Sequence, residues 1–324
     1  MKFLITGGAG YIGSHAVRML LDQDNDVVII DDLSTGFKVA IDSRATFYQL
    51  DIHQTKAVEE VLKKEHIQVV MHFAAFSLVG ESVKNPLKYY RNNVEGTRSL
   101  LEAMDNAGVK QMIFSSTAAV YGESSKIPID EDVDLLPTNP YGQTKMAIEQ
   151  MLKAFSVANP SFHYVSLRYF NVAGAHHSGE IGENHQPETH LIPNVIKSVL
   201  DGNSDLKVFG DDYDTKDGSA VRDYIHVEDL IDAHIKAYEY IEENDESNVF
   251  NLGTASGYSV LDIIHTCEDI IGEKIPYQIA PRRAGDPAVL VASYDKANRE
   301  LGWSPKRDLK TIIQSAYQYF KRGD

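Results

Sequence analysis

The sequence predicts an α/β fold: a Rossmann-type, doubly wound parallel sheet with a smaller C-terminal substrate-binding lobe. Three observations lead there. Short apolar runs alternate with helical patterns through the first half of the chain. Runs such as V-V-I-I at 27–30 and V-V-M-H at 69–72 lack polar alternation, as strands covered on both faces do. A glycine-rich turn, T-G-G-A-G-Y-I-G at 6–13, joins the first apolar run to the first helical pattern.

Taken in order, residues 2–6 read as a strand and 11–23 as a helix. Further strands are expected at 27–30 and 46–50, then a helix over 55–65 and a strand at 68–73. A longer helix covers about 87–107, followed by a strand at 111–115, a helix over 140–158 and a strand at 163–168. Such alternation implies right-handed crossovers in one parallel sheet. After Asn171 the texture changes: residues 173–189 are rich in Gly, His, Glu and Asn and read as loop. The expected division is a dinucleotide-binding domain over 1–171 and mainly a substrate lobe over 172–324. Part of 221–241 is expected to return and pack on the first domain.

Composition narrows the function classes. The 43% hydrophobic and 24% charged content over 324 residues is that of an ordinary globular chain. A single cysteine, Cys267, rules out an intrachain disulfide and fits a reducing cytoplasm. Residues 1–6 form an apolar run that glycines break at once, so no export signal is expected. No stretch approaches the roughly 20 apolar residues of a membrane span. A formal charge of −16 argues against nucleic acid. An anionic substrate would need local arginines to overcome that field.

Gly7, Gly10 and Gly13 allow a tight turn and a close approach of backbone to a pyrophosphate, which the helix N-terminus then faces. Asp31 ends the second strand about 20 residues further on, where an acidic residue accepts a ribose hydroxyl. Asp31 and Asp32 together repel a 2′-phosphate, favouring NAD over NADP, although one of the two can equally begin the following loop. Asp51 closes the third strand within reach of an adenine. Small residues in H-F-A-A, Phe73 to Ala75 among them, let backbone pass under the cofactor.

Asn139 and Pro140 suit an N-cap and first helical position, which puts Tyr141 and Lys145 on one helical face. A phenol, which ordinarily titrates near pH 10, is a poor base at neutrality. A neighbouring ammonium and a nicotinamide cation would favour the phenolate and make Tyr141 an acid/base. The competing reading is a packed tyrosine beside a solvated lysine. Ser115, Ser116 and Thr117 end a parallel strand, where such sheets hold ligands. Thr117 can bond the reacting oxygen, whereas the two serines fit a polar strand end equally well.

Further motifs follow in order: V-G-E-S-V, Y-Y-R-N-N-V-E-G-T, F-S-S-T-A-A-V-Y-G, P-Y-G-Q-T-K, L-R-Y-F-N-V-A-G-A-H, V-R-D-Y-I-H-V-E-D-L, V-F-N-L-G and A-P-R-R-A-G-D. With the glycine turn, this series resembles the extended short-chain dehydrogenase/reductases, and within them the UDP-hexose 4-epimerases, over nearly the whole chain. The resemblance implies tightly held NAD, no metal, and catalytic Tyr141, Lys145 and Thr117. It implies cofactor contacts at Tyr11, Ile12, Asp31 and Asp32, then Leu33, Ser34, Thr35 and Gly36. Asp51, Ile52, Phe73, Ala74, Ala75, Phe76 and Ser77 continue that set, with Asn92 and Phe170. Asn171, His190, Leu191, Phe209, Arg222, Arg283 and Asp286 are implied to line a UDP-sugar site, and Leu290 to border the sugar's C2 substituent.

Two positions depart from the family pattern: Ser77 stands where many relatives carry lysine, and His190 where they often carry asparagine. The implied reaction is reversible oxidation at the sugar's C4 through a 4-keto sugar that turns over and is reduced on its other face. A nucleotide-sugar dehydratase or decarboxylase, and a non-catalytic NAD-binding regulator, are the alternatives. Ala118 and Ala119 stand where related dehydratases carry acidic residues. The implied assembly is a homodimer joined near residues 92–106 and 141–158.

Overall fold

The computed structural model describes residues 1–202, 205–283 and 287–323. Six parallel strands come from the first half of the chain: β1 (Lys2–Thr6), β2 (Asp26–Asp31), β3 (Thr46–Gln49), β4 (Val69–His72), β5 (Gln111–Ser115) and β6 (His163–Tyr169). Strands β7 (Asn171–Ala173), β8 (Lys207–Phe209) and β9 (Val221–His226) lead into the smaller lobe. The chain then returns as β10 (Asn248–Leu252), before β11 (Gly257–Ser259), β12 (Gln278–Ala280) and β13 (Val289–Leu290).

The large sheet runs β10-β6-β5-β4-β1-β2-β3. Strand order reverses between β1 and β4, and the ends of both open onto one crevice. Alternate residues of each strand face opposite covers. Phe3 and Ile5 pack with Val69, Met71 and Ile113 on one face, whereas Leu4 packs with Val28, Val70 and Met112 on the other. Each such side chain contributes about 1.5–3 kcal/mol on burial. That two-sided demand explains the unbroken apolar runs in the sequence.

The helix Val227–Asn244 contributes Leu230, Ile231, Tyr240 and Ile241 to the same core as Phe3. Phe250 and Leu252 of β10 join them, as does Trp303. The last strand of the large sheet therefore comes from well beyond residue 172. In the smaller lobe, β9 is flanked by β11 and β13, with β7 also paired to it. Its core contains Ile192, Val195, Ile263, Ile312 and the buried Cys267.

The single helix expected over 87–107 is three pieces: Pro86–Tyr89, a π-helical stretch Tyr90–Glu95, and Gly96–Ala107. A further helix, Val79–Lys84, precedes them. The π-helical stretch turns Asn93 inward, where its amide bonds the Phe76 carbonyl at 3.1 Å and the Thr144 hydroxyl at 3.1 Å. Those buried bonds are what a regular helix in this register would forfeit. No helix among the described residues is long and apolar enough to cross a membrane.

Candidate active site

The glycine turn is packed to the limit. Gly7 has φ +74°, and a Cβ there would sit 2.7 Å from the Ala74 nitrogen. At Gly13 a Cβ would meet the Gly7 oxygen at 2.1 Å. Backbone from β1, from the end of β4 and from the helix Tyr11–Leu21 therefore meets without side chains between them. Gly10 caps that helix with no side-chain acceptor, leaving its first amides for an anion. Gly36 backs the same turn, since its Cβ would lie 2.9 Å from Ala9.

Asp31 is buried at the end of β2 and bridges the glycine turn and the following loop. Its carboxylate accepts from the Ala9 amide at 3.0 Å and the Leu33 amide at 2.8 Å. Burial pushes its pKa up, against those two bonds. Asp32 is exposed and accepts from the Ser34 amide at 2.9 Å, with Thr35 exposed beside it. Asp51 receives the His53 amide at 2.9 Å, beside buried Ile52. Cramped glycines, orphan amides and a buried acid at one sheet edge suit a dinucleotide's pyrophosphate and ribose.

Loops carry the turn's other neighbours. Phe73 lies against His234 with ring centres 4.9 Å apart. The Phe76 amide donates to Asn93 at 2.9 Å, and Asn92 donates to the same oxygen at 3.0 Å. Ala75 is half-buried and Ser77 exposed. Ile12 packs on the main core, while the Tyr11 hydroxyl donates to the Gly174 carbonyl at 2.6 Å, tying the turn to the smaller lobe.

The tyrosine–lysine pair sits at the next strand end. Asn139 caps the helix Pro140–Ala158, accepting from the Gly142 amide at 2.9 Å. Tyr141 and Lys145 are both buried one turn apart. Lys145 Nζ donates to the Ser115 carbonyl at 2.6 Å and lies 4.8 Å from the Phe114 ring centre. Burial pulls its pKa down to about 7, with Glu149 opposing. Tyr141 shares a side-chain hydrogen bond with Thr117, yet burial pushes its phenol up to about 12. Only the Thr117 bond acts to lower that phenol, and the Lys145 ammonium is directed at the Ser115 carbonyl instead.

Ser115 bonds the Tyr169 hydroxyl, and Ser116 donates to Glu149 at 2.5 Å, so both serines have structural partners. Arg168 clamps Glu149, from Nη2 at 2.5 Å and Nε at 3.0 Å, with both side chains buried. Tyr141, Lys145 and Glu149 recur every fourth residue, a signal that would have found Glu149. Ser82, whose hydroxyl accepts from the Tyr141 amide at 3.2 Å, had no such signal. His72 bridges β1 and the helix Gly96–Ala107, through Thr6 at 2.6 Å and Thr97 at 2.9 Å.

In the smaller lobe the Arg283 guanidinium covers the Phe209 ring at 4.1 Å. Arg222 in β9 stands opposite Leu290 of β13 and Tyr258 of β11. Leu290 and Phe170 both pack against the buried cluster of Val120, Tyr121 and Ile129, the first two of which follow shortly after Thr117. Asn171 begins β7, opposite Tyr224. His190 precedes the helix Leu191–Leu200, its Nδ1 2.9 Å from Glu188, and Leu191 packs on the lobe core. Asp286 lies outside the described residues.

A family model described as the NAD dependent epimerase/dehydratase family matches residues 3–253. The chain is 54% identical over 322 residues to a UDP-glucose 4-epimerase of Lactobacillus helveticus, covering 99% of this chain and 97% of that one. It is similar, at TM-score 0.95 and 40% identity, to the structure of UDP-glucose 4-epimerase from Bifidobacterium longum in complex with NAD+ and UDP. That match covers 100% of this chain and 99% of the other. The UDP-Glc/GlcNAc 4-epimerase of Campylobacter jejuni gives a TM-score of 0.86 at 42% identity, covering 99% of each chain.

Proposed function

The chain belongs to the NAD dependent epimerase/dehydratase family, and from that membership and the Tyr141–Thr117–Lys145 centre we propose that it interconverts UDP-glucose and UDP-galactose at C4 of the hexose. The observation that carries this reading is a buried tyrosine bonded to Thr117 at the sheet edge that also holds the glycine cradle. A non-catalytic regulator has no use for an acid/base tyrosine beside a buried lysine.

In this reading Gly7, Gly10 and Gly13 pass under the pyrophosphate of NAD, and Asp31 accepts from its adenosine ribose. Tyr11, Ile12, the Asp32–Gly36 loop, Asp51, Ile52, the Phe73–Ser77 loop, Asn92 and Phe170 complete its surroundings. When bound, NAD supplies a reversible acceptor for the C4 hydrogen and is regenerated in each cycle. Tyr141 takes the C4 hydroxyl proton and later returns it, while Thr117 orders the phenol. Lys145, held by Ser115, supplies a positive charge beside the Tyr141 helix face.

The nucleotide sits between the large parallel sheet and the smaller lobe, on the Phe209–Arg283 stack and Arg222. Asn171, His190, Leu191 and Asp286 form the remaining wall. Arginine suits a diphosphate because its fork donates two bonds at once. Anchoring the UDP leaves the 4-keto sugar free to turn over between steps. Leu290 beside the sugar leaves room for an acetamido group, so UDP-N-acetylglucosamine and UDP-N-acetylgalactosamine are substrates too. Ala118 and Ala119 can neither give nor take a proton, which disfavours a dehydratase.

The reading includes a homodimer joined through the helices near residues 92–106 and 141–158, and the exposed apolar Val83, Leu87 and Tyr90 just before the first of these support it. The unpaired Cys267 supports a cytoplasmic setting. Purified protein given UDP-galactose and no added NAD tests the reading. Formation of UDP-glucose is expected, and an inert mixture despite bound NAD would overturn it.

A further inference from the structure

The segment leading into the helix Leu191–Leu200 gathers four ionisable groups that the chemistry at Tyr141 does not use. Glu183, His185, Glu188 and His190 each present one ligand atom, all within 4.8 Å of one another. His190 Nδ1 lies 2.9 Å from Glu183 Oε1 and 2.9 Å from Glu188 Oε1. His185 Nδ1 lies 3.4 Å from Glu183 Oε1 and 3.8 Å from Glu188 Oε2. Ligands bonded at zinc-like lengths in a tetrahedron stand about 3.3 Å apart. With Oε2 as the Glu188 ligand, the separations that join ligand atoms are 2.9, 3.4 and 3.8 Å, on both sides of that value.

Two of the atoms are otherwise unaccounted for. His185 Nδ1 and Glu188 Oε2 are buried and make no hydrogen bond. The other Glu188 oxygen, Oε1, is already filled by the amides of Thr189 at 2.8 Å and His190 at 2.9 Å. That arrangement leaves Oε2 facing His185. Without an ion the two carboxylates hold both imidazoles protonated; a divalent cation would displace those protons and balance the −2 charge of the carboxylates. A nitrogen-and-oxygen set of four suits zinc and similar first-row ions, and does not suit magnesium or calcium, which take six or more oxygens.

We propose that Glu183, His185, Glu188 and His190 form a closed, tetrahedral structural site for a divalent transition-metal ion of the zinc type. Four protein ligands leave no open position, so the ion's work is to hold the segment and not to activate a substrate. His185 lies edge-on to Tyr11 at 6.2 Å, and Tyr11 already bonds Gly174 of the same lobe. The ion thus fixes the lobe against the glycine-rich turn. The assignment stands apart from the epimerase reading, because binding and melting report it without turnover.

The test uses untagged, full-length, NAD-loaded protein treated with chelator, dialysed at neutral pH and titrated with Zn²⁺ or Co²⁺. One ion per chain, a higher melting temperature with zinc, and the visible absorption of tetrahedral cobalt are expected. His185→Ala, at a half-buried ring, is expected to weaken binding by about 100-fold or more, since even outer-shell changes cost 10–100-fold. Glu188→Gln should act alike, which covers the case of one variant folding poorly. Equal zinc binding by parent and both variants, or none by the parent, would overturn the assignment.

Discussion

Lys145 Nζ donates to the Ser115 carbonyl oxygen at 2.6 Å, joining the Tyr141 helix to the C-terminal end of β5. The bond fixes a charge where the sheet opens, but in a place where charge is costly. Burial lowers this ammonium to about 7, whereas the unfolded chain keeps its proton to about 10.5. Between those values the unfolded chain binds the extra proton, so this group's contribution to stability rises with pH.

Lys145→Met is therefore expected to melt no lower than the parent at pH 7, while losing turnover. Tyr141→Phe should fold and keep NAD yet lose about 10²–10⁴ in kcat, the usual range for a positioned acid/base. Thermal melts and steady-state rates on both variants check this. A clearly lower melting temperature for Lys145→Met, or near-normal turnover in Tyr141→Phe, would contradict it.

The Glu149–Arg168 pair braces the same helix from behind. Glu149→Leu alone leaves a buried guanidinium unpaired, at an expected loss of about 3–5 kcal/mol. Adding Arg168→Met should restore more than half of that loss, because no buried charge then remains. Urea denaturation of the three proteins measures it; losses that simply add would count against a coupled pair.

Buried histidines, His72 and His234 with His15 and His226, make the fold acid-sensitive in a defined window. Burial pulls His72 down to about 3 and His234 to about 4, against 6.5 in the unfolded chain. As pH falls from 6.5 toward 4 the unfolded chain takes up protons that the fold refuses, and stability drops. Each group contributes up to ~1.4 kcal/mol per pH unit. His234→Phe should flatten the profile by one such group, and an unchanged slope in that window would rule out His234 as a contributor.

In the proposed reading substrate range rests on Leu290, which packs, as Phe170 does, against the Val120–Tyr121–Ile129 cluster. Leu290→Tyr is expected to suppress interconversion of the N-acetylated UDP-hexosamines by steric overlap while sparing UDP-galactose. Catalytic efficiencies of both proteins on both pairs decide it. Equal losses on the two pairs, or no N-acetyl activity in the parent, would refute the steric reading.

Much of this was legible in the chain because the informative residues lie close together along it. The glycines at 7, 10 and 13, Asp31 at a strand end, and Tyr141 four before Lys145 are local patterns imposed by a turn, a strand and a helix. What escaped reading depends on distant partners. Asn93 turns inward only because Phe76 and Thr144 await it, which breaks the helix expected over 87–107. Strand β10 joins β6 only after a long detour through the smaller lobe. The Glu183–His190 cluster carries no regular periodicity, since loop backbone sets which side chains meet. The phenol of Tyr141 illustrates a further limit: spacing shows that a lysine is near, but not that burial raises the phenol or that the ammonium bonds Ser115 instead.

In the proposed reaction Tyr141 works on an alcohol whose carbon-bound hydrogen leaves and returns within one closed site. UDP-galactose carrying deuterium at C4, incubated with the purified protein in ordinary water, tests this most directly by mass spectrometry of the product. The expected result is UDP-glucose with the deuterium still on C4. Loss of the label to solvent, or a 4-keto-6-deoxy sugar as the product, would contradict the account.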